Sequence, residues 1–492
     1  MELTRRAILA GSAAFAAALA DPETAWAAAV NRADWSLGVA DLDGDIAPHP
    51  MRLVRGRAPA ALSGVLYRNG PARFRRPGGN STHWFDGDGL VRRIAIDDGR
   101  ATFAARFGDT HKRRLETQLG AMVVPGFGTP GTSAAKLSGN DEANAANTSV
   151  FAQGGKLWAL WEGGSPLEMD PATLATRGFV TLRDDLKAMP FSAHPRYEPD
   201  GTVWNFGLAG IQAILWKLSP RGELQQAEVI KLPRASYFHD FTATERCLII
   251  VLQPWIRERM AMPYIDGLTW RPEQGTQVLV IDKADLSRRR VWELPAFSYF
   301  HLGDAWEEGD GTIRFDLCST TDPMFGVDGA RKILLGPAAG ASPPHATLAR
   351  IALHPDGRGV YESSDTVAEF PRSDPRFAGE ARRLTFHATG IGDGDAHLPR
   401  GLAATDLHTG RSDVWDAGPR QLVEEGIFVP RPGSTAEGDG WLVATSINLD
   451  AQATELHVLD ARRVSAGPLA TFRADAVAPF TFHGVFVQGA RR

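Results

Sequence analysis

The chain has 492 residues, 43% of them hydrophobic and 23% charged, which is length for a large core and an ordinary soluble composition. A net charge of −5 leaves no electrostatic footprint for nucleic acid. Cys247 and Cys318 are the only cysteines, so a disulfide framework and a thiolate metal site are both excluded.

The N-terminus reads as an export signal. Arg5 and Arg6 form a twin-arginine signature, an apolar stretch runs to Ala20, and Ala25-Trp26-Ala27 offers a cleavage site. Residues 1–29 are therefore predicted to be a twin-arginine signal peptide and residues 30–492 one domain, with the periplasm as destination.

Seven apolar strand patterns follow, each ending in a polar turn. They cover 90–96, 156–169, 214–218, 277–281, 348–353, 402–405 and 456–459. Their turns fall at 97–99, 170–171, 219–222, 282–283, 354–357, 406–410 and 460–461, where Asp, Pro and Gly supply hairpin chemistry. No long helical periodicity separates them, which argues against an α/β fold. Strand-rich repeats at this interval predict an all-β, seven-bladed β-propeller, with loops and short helices as a cap. Cys247 and Cys318 each lie in such a run and read as buried thiols, a disulfide between them being open in an oxidising compartment.

Four short segments share a pattern: Ser192-Ala193-His194-Pro195, Tyr237-Phe238-His239-Asp240, Tyr299-Phe300-His301-Leu302 and Thr481-Phe482-His483-Gly484. Each puts a His after a small or aromatic residue, near the start of a strand-like run. The gaps of 45, 62 and 182 residues are far longer than those of a zinc finger or an HExxH helix. A propeller reconciles them, because the innermost strand of every blade runs along one axis. The four His are expected to hold a single metal there. His83 is expected to brace the fold, and His354 and His408 to lie in solvated turns.

These segments, with Leu66-Tyr67-Arg68-Asn69-Gly70-Pro71, His83-Trp84-Phe85-Asp86-Gly87-Asp88-Gly89, Trp161-Glu162-Gly163-Gly164 and Ala305-Trp306-Glu307-Glu308, resemble the carotenoid cleavage oxygenase family from about residue 62 to 487. The resemblance implies a seven-bladed propeller with one Fe(II) on its axis, held by four His. It implies a dioxygenase that splits a carbon–carbon double bond of a polyene with dioxygen. By motif, the three Glu that steady the family's ligands fall on Glu162, Glu369 and Glu437, and the Thr that overhangs an open iron position falls on Thr148.

A polyene offers nothing to hydrogen-bond, so the substrate cavity should be apolar. Trp161, Phe238, Phe300 and Phe482 are its expected walls. An aromatic and methionine-rich stretch, Trp255 to Trp270 with Phe127, suits contact with a membrane that stores a lipophilic substrate. Stilbene-cleaving members of the family place a Lys directly before the first Glu, where this chain has Trp161. That tilts the expectation to an apocarotenoid, with a stilbenoid as the alternative and a retinoid isomerohydrolase or a non-catalytic propeller further off.

Overall fold

A computed structural model describes residues 35–336, 343–390 and 398–489; the expected signal peptide lies outside the described residues. Each of the seven predicted hairpins is an antiparallel pair, closed at Asp97↔Arg100, Met169↔Thr176, Leu218↔Leu224, Ile281↔Arg289, Leu353↔Gly359, Thr405↔Ser412 and Leu459↔Pro468.

Five of the hairpins are the outer pairs of separate four-stranded meanders. Their first strands are Ser149–Gln153, Arg196–Tyr197, Thr242–Ala243, Ser298–Glu307 and Glu369–Arg372. The first and seventh hairpins do not form sheets of their own. They share one ten-stranded sheet, because Ile46–Gly56 pairs with Arg100–Phe107 on one side and with Pro468–Arg473 on the other. The fold is an all-β, propeller-like array of sheets with a small helical cap, and it contains five separate blades where seven were expected.

The ring is closed by its ends. His483–Gln488 pairs with Gly64–Pro71, setting Asn69 opposite His483. Asn69 also donates from its side-chain amide to the carbonyls of Ala146 and Ser149, which ties this junction to the next sheet. Burial follows the layering. In Cys247–Leu252 the five residues from Leu248 onward are fully buried, because both faces of the strand meet a neighbouring sheet. The outermost Gly359–Val367 is largely exposed. Inter-sheet cores carry Trp158, Trp204 and Trp441, each nearly fully buried.

The cap is anchored by carboxylates. The helix His111–Leu119 starts on the Thr110 side chain, which accepts from Arg113 N at 3.1 Å, and ends on Gly120 at φ 63°. Its buried Glu116 accepts from the backbone N–H of Val123 and Val124. Asp86 accepts from the N–H groups of Phe127, Gly128 and Thr129. A Cβ at Gly126 would lie 2.3 Å from the Asp86 carboxylate, so the close approach requires glycine. His83 spans Gly326 O and Phe85 N and braces this cap, as expected. Cys247 and Cys318 are free thiols. No helix among the described residues is long and apolar enough to cross a membrane.

Candidate metal centre

Two of the four His lie on the innermost strands, His301 within Ser298–Glu307 and His483 at the start of His483–Gln488. His194 and His239 come two and three residues before Arg196–Tyr197 and Thr242–Ala243. All four are buried, and one ring nitrogen of each lies within 4.8 Å of the others. His194 Nε2 is 2.8 Å from His239 Nε2, and His301 Nε2 is 3.1 Å from His483 Nε2.

For three of the rings, carboxylates decide which nitrogen carries the proton. His239 Nδ1 is 2.6 Å from Glu162, His301 Nδ1 is 2.5 Å from Glu369, and His483 Nδ1 is 3.1 Å from Glu425. With these Nδ1 atoms donating, the Nε2 atoms are bare acceptors that face one another. Bare lone pairs this close repel unless a cation lies among them. Burial pushes the pKa of His483 down to about 3 and that of His194 well below its usual value, so both are neutral near pH 7. Burial also opposes charge on His239, but Glu162 outweighs it and leaves the pKa raised. Burial would raise Glu425, yet Arg372 and His483 hold it ionised far below the usual carboxylate range.

Glu437 does not occupy the expected place. Its carboxylate accepts from the backbone N–H of Arg383 and Leu384, in the loop between Ile427–Pro430 and Gly440–Asn448. Glu425, just before Ile427–Pro430, stands there instead and also accepts from Gly484 N and Arg372 Nε. Glu425 precedes the strand that pairs with Gly440–Asn448, much as Glu369 opens the strand that pairs with Leu384–Thr389, whereas Glu437 lies in the turn beyond it.

One side of the centre opens into an aromatic cavity with about 1130 Å³ of empty space, its mouth included. Thr148, Trp161, Phe300 and Phe482 line it, joined by Phe85 and Phe127. Phe238 does not. It turns into the core against Phe206, with ring centroids 4.7 Å apart, and Tyr237 takes the cavity side. Tyr237, which sequence reasoning passed over, donates its hydroxyl to Glu162 at 3.0 Å. Among the described lining residues there is no Lys or Arg.

Strands that gather four His on one axis, three of them steered by carboxylates, beside an apolar cavity, define a buried imidazole metal site of the oxygenase type. The chain belongs to the family described as retinal pigment epithelial membrane protein, which it matches over residues 41–488. It is 29% identical to apocarotenoid-15,15'-oxygenase of Synechocystis sp., over 92% of this chain and 94% of that one. It is 30% identical to resveratrol cleavage oxygenase 1 of Aspergillus fumigatus, over 83% and 86%. The solved structure of cobalt-substituted Synechocystis apocarotenoid oxygenase superposes with a TM-score of 0.83 at 27% identity, covering 93% of this chain and 98% of that one.

Proposed function

We propose that this protein is a non-heme Fe(II) dioxygenase that cleaves a carbon–carbon double bond of an apocarotenoid, R–CH=CH–R′ + O₂ giving R–CHO and R′–CHO. The observation that carries the reading is the convergence of four buried imidazoles, three of which help line an apolar cavity. Imidazole suits divalent iron, copper and zinc alike. His194, His239, His301 and His483 would hold a ferrous ion, which would supply the redox-active centre that dioxygen chemistry requires.

The chain's own residues do the rest. Glu162, Glu369 and Glu425 fix the ring orientations and set negative charge around the cation. Thr148 lines the cavity with its Oγ1 donating to Asn147 Oδ1. Trp161, Phe300 and Phe482 exclude water and hold a flat polyene by contact alone. The described lining of the cavity holds no Lys or Arg to anchor a phenolate, which favours an apocarotenoid over a hydroxystilbene. The Synechocystis oxygenase carries a Thr, a Trp and a Glu at the spacing of Thr148, Trp161 and Glu162.

We further propose that the ten-stranded sheet is two blades joined at their outer edges, which makes seven, and that residues 1–29 direct export to the periplasm. Met260 and Met262, 83% and 63% exposed, shortly precede Tyr264, which packs against the cluster of Tyr237, Trp255 and Phe300, and form the face by which the protein takes a lipophilic substrate from a membrane. The test of function is to incubate Fe(II)-loaded protein with apocarotenals and with hydroxystilbenes under oxygen. Two carbonyl fragments of an apocarotenal are expected by mass. A preference for the stilbenes in kcat/KM overturns the substrate class, and no cleavage of either overturns the activity.

A further inference from the structure

His194 is the one member of the quartet without a carboxylate in hydrogen-bonding range. Its Nδ1 lies 3.9 Å from Asp240 Oδ1, too far for a direct bond and within the span of about 5.6 Å that one water bridges with two ordinary arms. His194 also faces differently. It lines no part of the apolar cavity and instead walls a polar chamber on the other side of the quartet.

That chamber is built for water. It is walled by Asp240, Glu425, Arg196 and Arg372, and offers about 60 Å³ to the centres of water molecules, where one water needs at least about 10–15 Å³. Asp240 is 1% exposed and cannot swing toward the imidazole. Arg196 Nη2 holds both of its oxygens at 2.8 and 2.9 Å, Phe241 N donates to Oδ1, and Leu302 N donates to Oδ2. Arg196 is itself fixed by Asp304 and by the carbonyls of Phe241 and Leu302. Arg196 and Tyr197 also line a larger hollow, about 420 Å³ on the same measure, whose rim includes the exposed Pro199 and Asp200.

We propose that Asp240 is a fourth positioning carboxylate of the metal centre, acting on His194 Nδ1 through a water held in this chamber, and that this water exchanges with bulk past Arg196 and Tyr197. The inference rests on the four-histidine reading of the previous section. It gives His194 the same tautomer as the other three, Nδ1 protonated and Nε2 bare, by a softer and solvent-linked route.

The full chain loaded with Co²⁺ tests it. In a paramagnetic site the imidazole N–H protons are shifted clear of the protein envelope in the NMR spectrum. Transfer to D₂O is expected to leave three of these signals slow to exchange and one fast. Asp240→Asn is expected to weaken Co²⁺ binding about 10–100-fold, read by chelator competition on the folded fraction. Asp240→Glu, whose longer arm reaches Nδ1 directly, is expected to restore the affinity to within a few-fold and to slow the fast proton. Four signals exchanging at one rate overturn the proposal in the wild-type protein, with no variant needed. So does an Asp240→Asn protein that loses thermal stability but keeps wild-type Co²⁺ affinity, since Asp240 then only anchors Arg196. Failure of the wild-type protein to take up Co²⁺ overturns the metal reading itself, and this inference with it.

Discussion

Replacing Glu425 by Gln changes one oxygen to an NH₂ group at a site 1% exposed. Three donors converge on that carboxylate: His483 Nδ1 at 3.1 Å, Gly484 N at 2.9 Å and Arg372 Nε at 2.8 Å. The amide keeps one acceptor and turns a donor toward at least one of these donors. Loss of such a partner of a metal-bound His costs about 10–100-fold in affinity, or about 1.4–2.7 kcal/mol. Breaking one half of a buried ion pair costs about 3–5 kcal/mol, but the Arg372 side chain is 36% exposed, so solvent reduces the expected loss of stability to about 1–3 kcal/mol. The matched control is Glu437→Gln, whose partners are the backbone N–H groups of Arg383 and of Leu384 at the start of the strand Leu384–Thr389. It is expected to change stability by no more than about 0.5 kcal/mol and to leave metal affinity alone. Urea denaturation of the metal-free variants and Co²⁺ competition titrations read both quantities. Equal effects at the two positions, or a larger effect at Glu437, refute the placement of Glu425 beside His483.

His239→Ala is expected to remove metal retention and activity while circular dichroism shows the sheets intact, because the hydrophobic cores lie between sheets and away from the axis; full metal occupancy in the variant contradicts this. Trp161→Lys should cut apocarotenal turnover, since it replaces a flat apolar wall of the cavity beside Phe85, Phe127 and Phe300 with a flexible charged chain in the substrate's path; unchanged kcat/KM sinks the idea that Trp161 contacts substrate. His457, bonded to Ser446 and Thr471 with Glu455 and Arg55 nearby, has its pKa lowered by burial from 6.5 to about 4. A depressed histidine pKa makes its contribution to stability full above pH 6.5 and lost as pH falls toward 4, roughly 3 kcal/mol in all. The wild-type protein should therefore lose about that much more than His457→Gln between pH 7 and pH 4 in denaturant titrations, and parallel pH profiles contradict it.

The seven hairpins were legible because each turn carries its own chemistry, such as Asp97-Asp98-Gly99 or His354-Pro355-Asp356-Gly357. The four His were legible because one residue pattern repeats at each. The joining of the first and seventh hairpins was not. Ile46–Gly56 is mostly exposed and reads as Pro- and Arg-rich irregular chain, and its place in the sheet comes from backbone pairing on both edges. Glu437 misled because Ala-Glu-Gly-Asp looks like Trp-Glu-Gly-Gly, while it lies in the turn after Ile427–Pro430 and Glu425 lies just before that strand. Phe238 misled through parity: in extended chain Tyr237 and His239 face one way and Phe238 the other. The register shift between Tyr299 and Leu302 lifts that constraint, so Phe300 does reach the cavity beside His301.

The most direct test of the central claim is anomalous diffraction at the iron edge from crystals of the iron-loaded protein. One peak per chain is expected, within bonding distance of the Nε2 atoms of His194, His239, His301 and His483. A crystal of fully loaded protein with its iron elsewhere, or with one of the four imidazoles turned away from the peak, contradicts it.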